Sequence, residues 1–123
     1  MQALVIDDSR AMRSMIGKIM RQLGFDVVEA ADGREALAHL QQGQRPGIAL
    51  VDWNMPEMNG LEFVKVVRLD ASYNDLPLMM VTTENEMSQV VVALTAGANE
   101  YLMKPFTKEM LIEKLDILGI EHR

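Results

Sequence analysis

The chain has 123 residues, 49% of them hydrophobic and 24% charged, with a formal net charge of −6 and no cysteine. That balance fits one soluble globular domain spanning residues 1–123 with a core of its own. It excludes disulfides and thiolate metal sites, and it argues against direct nucleic-acid binding, which depends on neutralising phosphates. No apolar run reaches bilayer length, and the start "MQALVIDDSR" lacks the basic segment and apolar stretch of a signal peptide, so a cytoplasmic monomer without membrane insertion is expected.

Short apolar runs alternate with helical patterns along the chain. "ALVID" (Ala3 to Asp7) predicts a first strand ending in acids. From Ser9 to Leu23, Met12, Ile16, Ile19, Met20 and Leu23 recur at helical spacing, with Ser9 as N-cap and Gly24 as the stop. "FDVVEA" predicts a second strand and "ADG" a turn into a helix that carries Ala36, Leu37 and Leu40 and ends at Gly43. "GIALV" is the third predicted strand, delivering Asp52 at its tip, and "GLEFVKVVRL" the helix after it. "LPLMMV" predicts the fourth strand, Met87 to Ala96 the fourth helix with Gly97 as its stop, and "EYLM" the fifth strand. Thr107 caps a last helix with Leu111, Leu115 and Leu118 on one face. Five strands alternating with five helices predict parallel βαβ units and a doubly wound α/β sheet, its strands nearly continuously apolar because helices cover both faces.

That architecture gives the strand tips a meaning. In open α/β sheets, ligands bind outside the carboxyl ends of the strands. The first strand delivers Asp7 and Asp8, the third Asp52, the fourth Thr82, and the fifth is followed by Lys104 and Pro105. Aspartate and threonine are common in turns, so each alone says little. Together they put three acids, a hydroxyl and an amine at one edge. Crowded carboxylates repel, by roughly 4 kcal/mol for two charges about 4 Å apart at an effective dielectric near 20. A cation relieves that repulsion, and with only oxygen ligands nearby the fitting ion is Mg²⁺ or Mn²⁺ rather than zinc. An aspartate flanked by such an ion, an ammonium and a hydroxyl has the surroundings of a nucleophile for phosphoryl transfer.

Taken as a set, "IDDS", "DWNMP", "VTTE" and "KPF" at these spacings resemble the receiver domain of response regulators in two-component signalling, over essentially the whole chain. The runs "DWNMPEMNGLEFVKVVR" and "YLMKPFT" are closest to its stand-alone chemotaxis type. The resemblance implies a flavodoxin-like strand order 2-1-3-4-5, the order given for flavodoxin and the chemotaxis receiver itself. It implies that Asp52 accepts the phosphoryl group, and that Asp8, Asp7, Asp52 and the backbone carbonyl of Asn54 hold Mg²⁺. It also implies that Thr82 and Lys104 bind phosphoryl oxygens and that the Lys104–Pro105 bond is cis. Asn54 and Glu84 stand where the family tunes hydrolysis of the acyl phosphate. Thr82 and Tyr101 stand where it couples the phosphate to a partner surface on the fourth helix, fifth strand and fifth helix. The implied donor is a sensor histidine kinase or a phosphotransfer protein, and the implied target is a protein such as the flagellar switch. Such a domain is a self-phosphorylating switch rather than an enzyme acting on other substrates.

Two features depart from the chemotaxis pattern. Met87 occupies a position usually basic there, and Thr83 one usually filled by a smaller residue. "VVV" (Val90 to Val92) gives the fourth helix β-branched residues that cannot all face one core, which predicts a marginal helix with apolar surface. Trp53 is expected half-exposed, the methionines as packing filler, and His39 and His122 solvated. The competing readings are a phosphorelay intermediate, a receiver fragment of a larger transcriptional regulator, and a Mg²⁺-dependent aspartyl-phosphate phosphatase. The phosphatases typically place a second acid two residues after the nucleophile, where this chain has Asn54.

Overall fold

The computed structural model describes residues 1–83 and 87–123, and of Met87 the backbone only. The elements in chain order are β1 (Gln2–Ile6), α1 (Arg10–Gln22), β2 (Asp26–Ala30), α2 (Gly33–Gln41), β3 (Ile48–Asp52), α3 (Gly60–Leu69), a 3₁₀ turn (Ala71–Tyr73), β4 (Leu78–Thr82), α4 (Met87–Ala96), β5 (Glu100–Met103) and α5 (Lys108–Ile117). The strands form one sheet in the order β2-β1-β3-β4-β5, parallel at every pairing, as the resemblance implies. β1 closes at Ile6, one residue before the expected Asp7. Asp7 stands just beyond the strand, its amide donating to the Ala30 carbonyl at 3.1 Å.

Successive strand residues point to opposite faces, so each apolar strand feeds two cores. Leu4, Ile6 and Val51 pack with Phe63 and Val64 of α3 and Leu40 of α2 on one face. Ala3, Val5 and Leu50 pack with Ile16 and Met20 of α1 and Leu111 and Leu115 of α5 on the other. The helix starts follow side-chain chemistry: the Ser9 and Thr107 hydroxyls accept from the amides of Met12 and Met110, at 3.3 and 3.2 Å. Asp32 does the same for α2, and Asn59 and Glu62 form a reciprocal capping box for α3. Gly24, at φ 97°, turns the chain out of α1 in a conformation that favours glycine. No helix among the described residues is long and apolar enough to cross a membrane.

Two local features bear on stability, one inside α3 and one in the loop before it. Arg68, near the end of α3, donates from Nε to the Gly97 carbonyl (3.0 Å) and from Nη1 to the Tyr73 carbonyl (2.6 Å). Its Nη2 reaches the Leu76 carbonyl (2.8 Å) and Asn99 Oδ1 (2.9 Å). One guanidinium thus ties α3 to the approach to β4 and to the turn between α4 and β5. Glu57, between β3 and α3, has φ 68°, and the Met58 amide donates to the Pro56 carbonyl at 2.7 Å, which closes a positive-φ γ-turn. That conformation is strained for any residue with a Cβ.

Arg68→Ala is expected to lower unfolding free energy by about 2–4 kcal/mol, because it strands several acceptors at once. Arg68→Lys should recover less than half, since an ammonium on one stem cannot span four acceptors. Urea melts of the three proteins measure this, and full rescue by lysine would refute the clamp. Glu57→Gly is expected to stabilise the fold by about 1 kcal/mol through relief of backbone strain. Its exposed ion pair with Arg34, at 3.4 Å, is worth less than that. A loss of stability in the same melts would reverse the ranking of the two effects.

Candidate functional site

Strand register brings the functional tips abreast. Ile6 pairs with Val51, Asp52 with Val81, and Thr82 with Met103, so Asp7, Asp52, Thr82 and Lys104 emerge at one edge of the sheet. Asp52 is the last residue of β3 and only 7% exposed, while Asp7 and Thr82 are buried and Asp8 faces solvent. α3 begins directly against the strand that carries Asp52: the Gly60 amide donates to the Trp53 carbonyl at 2.9 Å. A Cβ at Gly60 would strike the Asp52 carbonyl oxygen and come within 2.7 Å of the Met80 methyl, so this contact requires glycine. The packing that seats α3 therefore also fixes the main chain of Asp52.

Lys104 reaches into the acids. Its ammonium lies 3.0 Å from Asp7 Oδ2 and 3.3 Å from Asp52 Oδ1. The Lys104 amide donates to the Thr82 carbonyl at 2.8 Å, which joins the β4 and β5 tips, and the Lys104–Pro105 bond is cis. Asp7 is held as well by the Ser9 amide, which donates to Oδ1 at 2.9 Å. Burial is the largest influence on Asp52 and pushes its carboxyl up from 3.8 to about 6. The Asp7 charge pushes the same way, Lys104 opposes both, and Asp8 adds a smaller upward push.

One carboxylate oxygen each from Asp7, Asp8 and Asp52 can be drawn so that all three lie within 4.8 Å of one another. The cluster is all oxygen, partly buried and open on the Asp8 side, a donor set suited to a hard divalent cation. Asn54 is exposed, two residues beyond Asp52. Glu84 lies outside the described residues. Tyr101 is half-buried on β5, at a narrow apolar crevice shared with Trp53, Met80, Thr82, Val90 and Ala93. The Lys114 ammonium sits 4.3 Å from the Tyr101 ring centroid and pairs with Glu100 at 3.0 Å. On α4, Val90 and Ala93 are buried while Val91, Val92 and Leu94 face solvent, as the "VVV" run predicts.

Sequence reasoning missed Arg13. Its Nη1 donates to the Asp7 carbonyl at 2.7 Å, and its Nε contacts Glu29 Oε1 at 3.1 Å. A charged residue one turn into a helix gives no signal of a main-chain acceptor behind it. His122, expected solvated, is largely covered, and its Nε2 lies 2.8 Å from Asp116 Oδ1.

Comparison with known proteins identifies the family and the fold. The family described as "Response regulator receiver domain" matches residues 3–116. A chemotaxis protein CheY homolog of Campylobacter jejuni is 50% identical over 121 residues, covering 97% of this chain and 93% of the relative. The chemotaxis protein CheY1 of Helicobacter pylori is 45% identical over 119 residues, covering 96% of each. Among solved structures, the chemotaxis protein CheY4 of Vibrio cholerae superposes with a TM-score of 0.88 at 40% identity, covering 94% of this chain and 96% of that one. The family match over residues 3–116, with relatives about half identical over nearly the whole chain and the same fold, shows that the chain belongs to the response regulator receiver domain family.

Proposed function

We propose that the protein is a chemotaxis response regulator, switched by a phosphoryl group that Asp52 accepts from a sensor histidine kinase or phosphotransfer protein. The observation that carries the reading is the ammonium of Lys104 set between Asp7 and Asp52 beside three clustered carboxylates. The relatives' names, chemotaxis proteins of Campylobacter jejuni and Helicobacter pylori, support the pathway.

Asp7, Asp8 and Asp52, with the Asn54 carbonyl, would hold Mg²⁺ or Mn²⁺. When bound, that ion supplies charge neutralisation for the phosphoryl oxygens. One Asp52 oxygen forms the bond to phosphorus, and the phosphorus–nitrogen bond of the donor phosphohistidine breaks. The imidazole leaves with the bonding pair and takes up a proton from water. Lys104 exchanges its contact with Asp52 Oδ1 for a phosphoryl oxygen and keeps Asp7, so its charge stays matched throughout. Thr82, buried at the next strand tip, donates its hydroxyl to a second oxygen. Drawing Thr82 toward the site opens the crevice it shares with Tyr101. The ring then moves inward, and the surface of α4, β5 and α5 changes shape. Val91, Val92 and Leu94 of α4 are exposed and suit a downstream protein such as the flagellar switch. Asn54 and Glu84 are the positions proposed to tune hydrolysis of the acyl phosphate.

Incubation with acetyl phosphate and Mg²⁺ should add one phosphoryl group to the intact mass. Asp52→Asn should show none, and Lys104→Ala should slow uptake by about 100-fold. An adduct of unchanged size on Asp52→Asn would place the chemistry elsewhere.

The raised Asp52 pKa has a consequence for stability without metal. The folded state holds this proton more tightly than the unfolded chain, so its contribution is full below pH 3.8 and is lost as pH rises through about 6. In EDTA, stability relative to Asp52→Asn should therefore fall between pH 4 and pH 7, by roughly 1–3 kcal/mol. Urea melts of both proteins at several pH values measure the difference, and a rise with pH would overturn the assignment of strain to this carboxylate.

A further inference from the structure

We infer that Arg13 is a positioning residue for the acidic cluster, and that Glu29 holds it in place. The inference rests on the cation-binding reading of Asp7, Asp8 and Asp52. Asp7 and Asp8 occupy the short bend between β1 and the Ser9 cap of α1. The Asp7 side chain is fixed by the Ser9 amide and the Lys104 ammonium. Asp8 is exposed, and its direction depends on the peptide plane that joins it to Asp7. The carbonyl of that plane belongs to Asp7, and Arg13 Nη1 donates to it at 2.7 Å. Because a peptide group is planar, fixing its oxygen also fixes the Asp8 amide on its other side. The guanidinium is itself oriented: Nε meets Glu29 Oε1 at 3.1 Å, from β2, and the Arg13 side chain is 16% exposed. Arg21 approaches the other Glu29 oxygen at 3.5 Å. The chain of contacts thus runs from β2 through Glu29 and Arg13 to the peptide that aims Asp8.

Two roles for Arg13 make opposite predictions about cation affinity. As a nearby positive charge alone, it would repel a divalent ion, and its removal would tighten binding. As a clamp on the Asp7–Asp8 peptide, it pre-arranges the ligands, and its removal would weaken binding. The test is calorimetric titration of the full chain with MgCl₂ at constant ionic strength, for wild type, Arg13→Ala, Arg13→Lys and Glu29→Ala. Thermal melting of each protein in EDTA runs beside it. The expected result is binding weakened by about tenfold in Arg13→Ala. Arg13→Lys should be weakened nearly as much, because lysine keeps the charge and loses the fork. Glu29→Ala should lose less, because the guanidinium remains but is no longer oriented. Unchanged or tighter Mg²⁺ binding in Arg13→Ala, with wild-type binding intact, overturns the clamp alone. A lower melting temperature with unaltered affinity does the same, and leaves a purely structural ion pair. Should Arg13→Ala not fold, Glu29→Ala decides on the same criterion. Absence of Mg²⁺ binding by the wild type overturns the cation reading itself, and the clamp with it.

Discussion

The molecule turns on one ammonium among carboxylates. Asp7 and Asp52 are both buried at the sheet edge, with Asp8 beside them, and without a positive charge the group would be hard to assemble. Lys104 supplies that charge from the far end of the chain, 52 residues beyond Asp52. Its reach is set by the β4–β5 pairing and by the amide it donates to Thr82. The arrangement leaves Asp52 only partly compensated, since burial and Asp7 outweigh Lys104 in setting its pKa. A carboxylate whose charge is poorly tolerated at rest gains by acquiring a cation. The resting strain and the proposed cation binding have the same origin.

The surroundings serve that placement. The two-sided core fixes the strands in register, and register alone brings the four tips level. Gly60 lets α3 start against the carbonyl of Asp52, so the strand end that carries Asp52 is braced by a helix rather than left to a loop. On the neighbouring face, α4 has only part of its apolar surface turned inward. The Val91, Val92 and Leu94 side chains it leaves in solvent offer an apolar surface to a partner, which suits the proposed switch.

Much of this was legible in the sequence, and the limits have physical causes. Strands covered on both faces leave continuous apolar runs, and Ser9 and Thr107 announce helix starts because a side-chain oxygen acceptor is needed there. The acids, Thr82 and Lys104 were readable because their positions at strand tips follow from the strands. Strand order was not readable from pattern and came from the family resemblance. The boundary of β1 slipped by one residue because a strand and the turn that follows can both end in an acid. Arg13 and Arg68 were opaque for a different reason: what they bind is mostly main-chain carbonyl oxygen, and every residue has one. The φ of Glu57 was hidden because a glutamate in a turn normally signals nothing about backbone sign.

Arg68 and Lys104 are both cations held in clefts, but their partners differ in kind. Lys104 faces carboxylates, whose charge acid removes and whose attraction salt screens. Arg68 faces only carbonyl and amide oxygens, which neither titrate nor carry net charge, and its own guanidinium stays protonated although burial lowers its pKa. A cell whose internal acidity or ionic strength drifts would therefore retune the switch while leaving this brace of the scaffold untouched.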